Sequence, residues 1–150
     1  MLQYPLYEFI APVPMCWETN TLAAALDIFV KEQSDRLVIV NSQQRPIGVL
    51  YSAQLLPQFL AADANNNLLN LQQPLSQVDK SLIEAIQTIP AAANLEKFSL
   101  VLKHQESQQQ SNLDWALVDS DGKYLGILNT LRLLTFCLLY TSDAADEEDS

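Results

Sequence analysis

Glycine occurs three times in these 150 residues, cysteine twice and histidine once. So little glycine excludes a Gly-rich phosphate loop, which needs several such residues in one turn. One histidine, His104, with no nearby Cys or acidic pair at ligand spacing, excludes a histidine-based metal cluster and reads as a solvated surface residue. Cys16 and Cys137 are too few and too far apart for a disulfide framework or a cysteine zinc site. Cys16 has no evident base beside it and reads as a structural thiol. Basic residues number 8 against 18 acids, so the chain has no electrostatic case for binding DNA or RNA. No apolar run approaches the roughly 18 residues that a membrane span needs. The first basic residue is Lys31, so a charged secretory leader is not visible. With these signals missing, the cytoplasm is the default expectation. What remains is the composition of a globular chain, 49% apolar and 17% charged. At this length roughly 70% of the unfolded chain's surface can be buried.

The chain also says nearly the same thing twice. Arg36-Leu37-Val38-Ile39-Val40-Asn41-Ser42 is followed by Arg45-Pro46-Ile47-Gly48-Val49-Leu50, Ser52 and Leu55-Leu56. At an offset of 78 stand Asp114-Trp115-Ala116-Leu117-Val118-Asp119-Ser120, then Lys123-Tyr124-Leu125-Gly126-Ile127-Leu128, Thr130 and Leu133-Leu134. Pro12 and Pro90 share that offset and are taken as equivalent. Self-similarity at a fixed period decides architecture before local reading does. It predicts two copies of one α/β unit, β-α-β-β-α, packed about a pseudo-twofold axis: residues 1–62 and 74–136, joined by a polar linker over 63–73.

Within a unit, Leu37–Val40 is too short an apolar run for a helix and suits a strand buried on both faces. Asn41–Gln44 reads as a turn, since Asn and Ser bond nearby backbone. Pro46 opens a second strand, where a missing N–H costs least. Gly48, lacking a side chain, admits a helix, a ligand or another backbone. Ser52 is the expected cap of a helix with Leu55, Leu56, Phe59 and Leu60 on one face. Upstream, Thr19 or Thr21 caps a helix with Leu22, Ala25, Leu26, Phe29 and Val30 as its apolar stripe. The second copy repeats the order: Asn94 caps a helix bearing Leu95, Phe98, Val101 and Leu102, and Thr130 starts the closing helix. A polar loop, Gln105–Asn112, restores the register after the helix, which sits about five residues early. Asp119 and Asp121 read as turn residues rather than metal ligands. Trp115 and Tyr124 belong to the core or to the contact between copies.

Helix, strand, turn, strand and helix, stated twice around Gly48-Val49-Leu50 and Gly126-Ile127-Leu128, resembles the CBS (cystathionine-β-synthase-type) domain pair, or Bateman module, over roughly residues 5–136. The resemblance implies a regulatory module rather than an enzyme. Its ligand would lie between the copies, with an adenine nucleotide as the class to consider. Carried over residue by residue, the site is Pro12, Val13, Tyr51, Ser52 and Gln54 facing Pro90, Asn129, Thr130 and Arg132. Nucleotide-binding members place a ribose-holding Asp where this chain has Gln54 and Arg132. Both carboxylates are missing, which implies weak nucleotide binding, another small ligand, or none at all in a constitutive dimerising scaffold. Arg132 could meet a phosphate or a carboxylate. A homodimer and a fused output domain, either a signalling output or another enzyme, channel or transporter, are the implied partners. The opening Met1–Leu6, Pro46–Ser52 and Leu131–Leu134 resemble the N-terminal sensory region of some bacterial sensor histidine kinases; no kinase motif is present.

The end of the chain is anomalous. Leu138–Asp146, Leu-Leu-Tyr-Thr-Ser-Asp-Ala-Ala-Asp, resembles the translation of a transposase adapter used to prepare sequencing libraries. Residues 137–150 are therefore expected to be a non-native tail that adds nothing specific to the core, with a natural acidic tail as the alternative reading. Five of the acids lie in it (Asp143, Asp146, Glu147, Glu148, Asp149). Without them 13 acids face 8 bases, a net charge of −5 instead of −10.

Overall fold

The computed structural model describes residues 1–65, 70–106 and 114–149. Positions 66–69 of the expected linker, 107–112 of the expected polar loop and Ser150 of the tail lie outside the described residues. The elements run β1 (Ile10–Ala11), β2 (Met15–Trp17), α1 (Leu22–Glu32), β3 (Arg36–Val40), β4 (Pro46–Tyr51) and α2 (Ser52–Asn65). The second half follows with β5 (Ile83–Glu84), β6 (Gln87–Pro90), α3 (Leu95–Glu106), β7 (Trp115–Val118), β8 (Tyr124–Leu128) and α4 (Thr130–Asp149). This is the predicted tandem α/β architecture.

Two four-stranded sheets form, in the orders β2-β3-β4-β5 and β1-β8-β7-β6. Their registers repeat. Met15, Cys16 and Trp17 run parallel to Val38, Ile39 and Val40, as Thr88, Ile89 and Pro90 run parallel to Ala116, Leu117 and Val118. Both sheets exchange an edge. β1, near the start of the first unit, pairs antiparallel with β8 of the second, and β5, near the start of the second, pairs antiparallel with β4 of the first. Gly126 and Gly48 permit this. A Cβ on Gly126 would lie 2.8 Å from the Ala11 carbonyl oxygen, and one on Gly48 3.2 Å from that of Glu84. Of the three neighbours anticipated at Gly48, another backbone is the one present.

The register corrects the pairing of Pro12 with Pro90. Pro90 faces Val118 as Trp17 faces Val40, so its equivalent is Trp17. The helices agree, with Leu22 matched to Leu95 at an offset of 73. The repeat also reaches further than the sequence suggests. Leu22 and Ala23 donate their N–H groups to the carbonyls of Gln73 and Leu71; Leu95 and Glu96 donate theirs to Tyr4 and Leu2. The stretch after Asn70 and the N-terminal stretch thus do one job: each supplies acceptors for helix N–H groups that have no intrahelical partner.

Alternation along the strands builds three cores. Leu37 and Ile39 join the first helices' side with Leu22, Phe29 and Leu55. Leu117 and Trp115 do the same in the second copy with Phe98 and Leu95. Val38 and Val40 turn the other way and pack between the sheets with Ala116, Tyr124 and Ile127. This is why Leu37–Val40 is apolar throughout: each face has its own core.

The caps are chemically specific. Thr21 Oγ1 accepts from Ala24 N at 3.1 Å, and Asn94 Oδ1 from Lys97 N at 2.9 Å. The closing helix is capped by Asn129, whose Oδ1 accepts from Arg132 N at 3.0 Å, so Thr130 is its first residue and not its cap. Ser52 likewise is the first residue of α2. The hairpin turns match: Asn41 Oδ1 accepts from Gln43 N and Arg45 N, and Asp119 Oδ1 from Asp121 N and Lys123 N. Gln44 and Gly122 follow with positive φ, 64° and 83°.

Not every expected apolar face is buried. Val30, Leu56, Leu60, Leu131 and Leu134 are all more than half exposed, and Phe59 and Leu102 more than a third. α4 runs through Tyr140 with Leu138 and Leu139 exposed, a continuation of the helix past Phe136.

Candidate functional site

The contact between the copies is polar at one end. Arg36 and Asp114 stand at equivalent positions, 78 apart, and Arg36 Nη1 lies 2.7 Å from Asp114 Oδ1. The Tyr51 hydroxyl donates to the other oxygen of the same carboxylate. Burial, and then the bond to Asp114, push the Tyr51 hydroxyl's pKa up. Tyr124 Oη, within reach of the same two charges, donates to the Val13 carbonyl at 2.7 Å, and Tyr124 N to the Gln44 carbonyl at 3.0 Å. Burial raises the Tyr124 pKa as well. Both tyrosines therefore stay neutral donors at ordinary pH.

Two cavities flank this contact. The first, about 520 Å³, lies between the segment that crosses from β1 to β2, Pro12–Pro14, and the turn that joins α1 to β3, where Glu32, Ser34 and Asp35 line it. The turn is fixed by Gln33 in the left-handed region, φ 52°, and by Ser34 Oγ donating to the Arg36 carbonyl at 2.6 Å. Its walls hold carboxylates and a hydroxyl, and no cation lines it. The second, about 620 Å³, lies between the short 3-10 helix Leu6–Phe9 and the first turns of α4. Phe9, Phe136 and Tyr4 form an aromatic floor, with ring centroids 5.2 Å apart for Phe9–Phe136 and 5.0 Å for Tyr4–Phe136. Glu8, Asn129, Arg132 and Thr135 supply its polar groups. Leu131 and Leu139 complete the apolar wall, so the segment expected to be a non-native tail does reach this cavity.

The expected site residues are therefore not gathered in one place. Pro12 and Val13 line the first cavity, and Ser52 adjoins it by donating its N–H to the Asp35 carbonyl at 3.1 Å. Asn129 and Arg132 line the second. Tyr51 is engaged with Asp114, and Gln54 Nε2 donates to Glu84 Oε1 at 2.7 Å. Pro90 ends β6 beside Val118, and Thr130, exposed on α4, lines neither cavity. Sequence reasoning missed Glu32, Ser34 and Asp35, which only the crossing of β1 to the other sheet brings opposite Pro12. It also missed the Arg36–Asp114 pair, although opposite charges at equivalent repeat positions are a visible signal.

Among the described residues no group of His, Cys, Asp and Glu could hold a metal ion, and no helix is long and apolar enough to cross a membrane. His104 is exposed at the end of α3. Cys16 is buried in β2, and burial pushes its thiol up to about 12, which keeps it unreactive.

Residues 8–59 match the CBS domain family, and the chain has the fold of solved tandem CBS-pair structures. Similar solved structures cover nearly the whole chain. A CBS domain-containing protein of Kribbella flavida shares 11% identity at a TM-score of 0.66, over 90% of this chain and 98% of that one. CBSX2, a protein of Arabidopsis thaliana, in complex with AMP shares 18% at 0.59, over 92% and 98%. CbpB in complex with c-di-AMP shares 15% at 0.59, over 97% and 92%. A search of curated proteins finds no match.

Proposed function

We propose that this chain is a regulatory, non-catalytic CBS pair, the cytoplasmic sensory part of a larger signalling protein such as a sensor histidine kinase, and that adenine nucleotides bind it weakly. The observation that carries the reading is the cavity between Pro12–Pro14 and Glu32–Asp35. It sits where the chain crosses from one sheet to the other, so a ligand there bears on how the two copies sit together. AMP and c-di-AMP in the structures of CBSX2 and CbpB support the ligand class.

The lining decides affinity. Ser34 and Asp35 can accept from ribose hydroxyls, and the proline-flanked wall can take a base. Glu32 and Asp35 repel phosphates, and no cation offsets them. Nucleotide affinity is therefore expected in the high-micromolar range or weaker, about −5 to −6 kcal/mol. It should fall from AMP to ADP to ATP. Titration calorimetry of the chain with the three nucleotides tests this. Sub-micromolar binding, or affinity rising with phosphate count, would refute the assignment. Arg132→Ala should leave the affinities unchanged, because Arg132 lines the other cavity.

A second reading, a constitutive homodimeric scaffold without ligand, is favoured by the exposed Leu56 and Leu134, which occupy equivalent positions on α2 and α4. Absence of any nucleotide binding together with a stable dimer would select it.

A further inference from the structure

The second cavity carries two opposite charges that do not meet. Glu8 approaches it from the 3-10 helix Leu6–Phe9 and Arg132 from the first turn of α4. Among the described residues neither side chain makes an ion pair with the other or with a third residue. Between them lies the aromatic floor of Phe9 and Phe136. From these observations we infer that the cavity binds a free α-amino acid with an apolar or aromatic side chain. The site is separate from the groove assigned above to nucleotides, and the inference does not depend on that assignment.

The hydrogen-bonding capacity of the walls sorts the ligand's ends. Asn129 Oδ1 already accepts from the Arg132 N–H, so its amide NH2 is left to donate. A carboxylate placed there accepts from that amide and from the Arg132 guanidinium, whose planar fork suits it. Thr135 Oγ1 spends its hydrogen on the Leu131 carbonyl at 2.8 Å, so towards the cavity it can only accept. An ammonium group can donate to it and to Glu8. The ligand's side chain then covers the floor rings and Leu131. A nucleotide suits these walls poorly, since its phosphates would have to share them with the Glu8 carboxylate.

Calorimetry with L-phenylalanine tests the inference. Phenethylamine and 3-phenylpropionate, each lacking one of the two charges, are the controls. L-phenylalanine should bind at least about tenfold more tightly than either control, since a hydrogen bond to a charged group is worth that much. Glu8→Gln should remove the preference over 3-phenylpropionate, and Arg132→Gln the preference over phenethylamine. Both residues are exposed, and an unchanged thermal midpoint identifies the variants as folded. No binding of L-phenylalanine up to about 10 mM, equal binding of the controls, or full affinity in both variants would overturn the proposal. AMP binding without L-phenylalanine binding defeats this inference and leaves the nucleotide reading standing. The reverse result defeats the nucleotide reading alone.

Discussion

Arg36 and Asp114 are the same residue position in the two copies, and they form a 2.7 Å ion pair with each other across the axis. Two like copies facing each other would juxtapose Arg with Arg or Asp with Asp. The pair therefore favours the unlike arrangement that the structure shows. It is mostly shielded, with side chains 30% and 15% exposed. Removing one partner leaves the other poorly solvated, which outweighs the modest net worth of an intact pair. Asp114→Ala should lower stability by about 1–3 kcal/mol, because Arg36 and Tyr51 lose their shared acceptor. In a chain of this length that is a fall in Tm of roughly 3–10 °C. The exchange Arg36→Asp with Asp114→Arg should recover a large part of the loss. Thermal unfolding of the single and exchanged variants measures both, and an exchanged variant no better than Asp114→Ala would show that the charge pair itself is not what matters.

Alkaline pH attacks the same contact. Burial raises the pKa of Cys16, to about 12, and of Tyr51 and Tyr124, from ordinary values of 9.0 and 10.0. The folded chain keeps all three neutral while the unfolded chain ionises. Their stabilising effect is therefore complete below about pH 9 and is lost as pH rises towards 12 and above. Urea unfolding between pH 7 and 11 should show a flat plateau and then a decline that starts near pH 9, roughly where the thiol of the unfolded chain titrates. Tyr124→Phe removes the bond to Val13 and should cost about 1 kcal/mol at neutral pH while making the decline shallower. Stability that stays constant to pH 11 would contradict the linkage.

Strand, turn and helix order was legible because the repeated apolar runs leave little choice. Leu37–Val40 and Trp115–Val118 each supply side chains to two cores, and a run apolar on both faces signals that. The exchanged edges were not legible. β1 and β5 have two residues each, too few to show a period of two. Their place is set by long-range pairing and by the room beside Gly126 and Gly48. Pro12 and Pro90 share an offset by coincidence: β6 and α3 of the second copy follow the offset of 73, and the hairpins that of 78. Of the expected site residues only Pro12 and Pro90 are paired by that coincidence; Tyr51, Ser52 and Gln54 match Asn129, Thr130 and Arg132 at the true offset of 78. What the sequence does not show is the packing that puts Asn129 and Arg132 in one cavity, Pro12 and Val13 in another and Tyr51 against Asp114.

Helix periodicity showed that α2 and α4 have apolar faces but not what covers them. Leu56, Leu60, Leu131 and Leu134 remain exposed, on helices that occupy equivalent places in the two copies. If these faces carry the homodimer, Leu56→Glu with Leu134→Glu should convert dimer to monomer in sedimentation analysis. The change in Tm should stay small at concentrations where the parent is monomeric, because neither side chain belongs to a core. An unchanged dimer would place the interface elsewhere.

The two sheet glycines give a graded test of the exchanged edges. At Gly126 a Cβ would meet Ile10 Cγ1 at 2.6 Å and the Ala11 carbonyl oxygen at 2.8 Å. At Gly48 it would meet Ile83 Cγ2 at 2.6 Å, but the nearest backbone atom, the Glu84 oxygen, is 3.2 Å away. A methyl carbon can shift with its side chain. A carbonyl held in a strand pair moves only with its strand. Gly126→Ala should therefore displace β1 from β8 and cost about 2–3 kcal/mol, within the range for overpacked sites. Gly48→Ala should cost roughly half as much, since Ile83 can adjust by rotation and a small shift. Because β1 leads directly into Pro12–Pro14, Gly126→Ala should also weaken nucleotide binding in the groove that segment lines, while Gly48→Ala should spare it. Chemical denaturation and calorimetry on the two variants measure both effects. Equal destabilisation would mean that β1 and β5 are held no differently, and undiminished AMP affinity in Gly126→Ala would separate the edge strand from the groove.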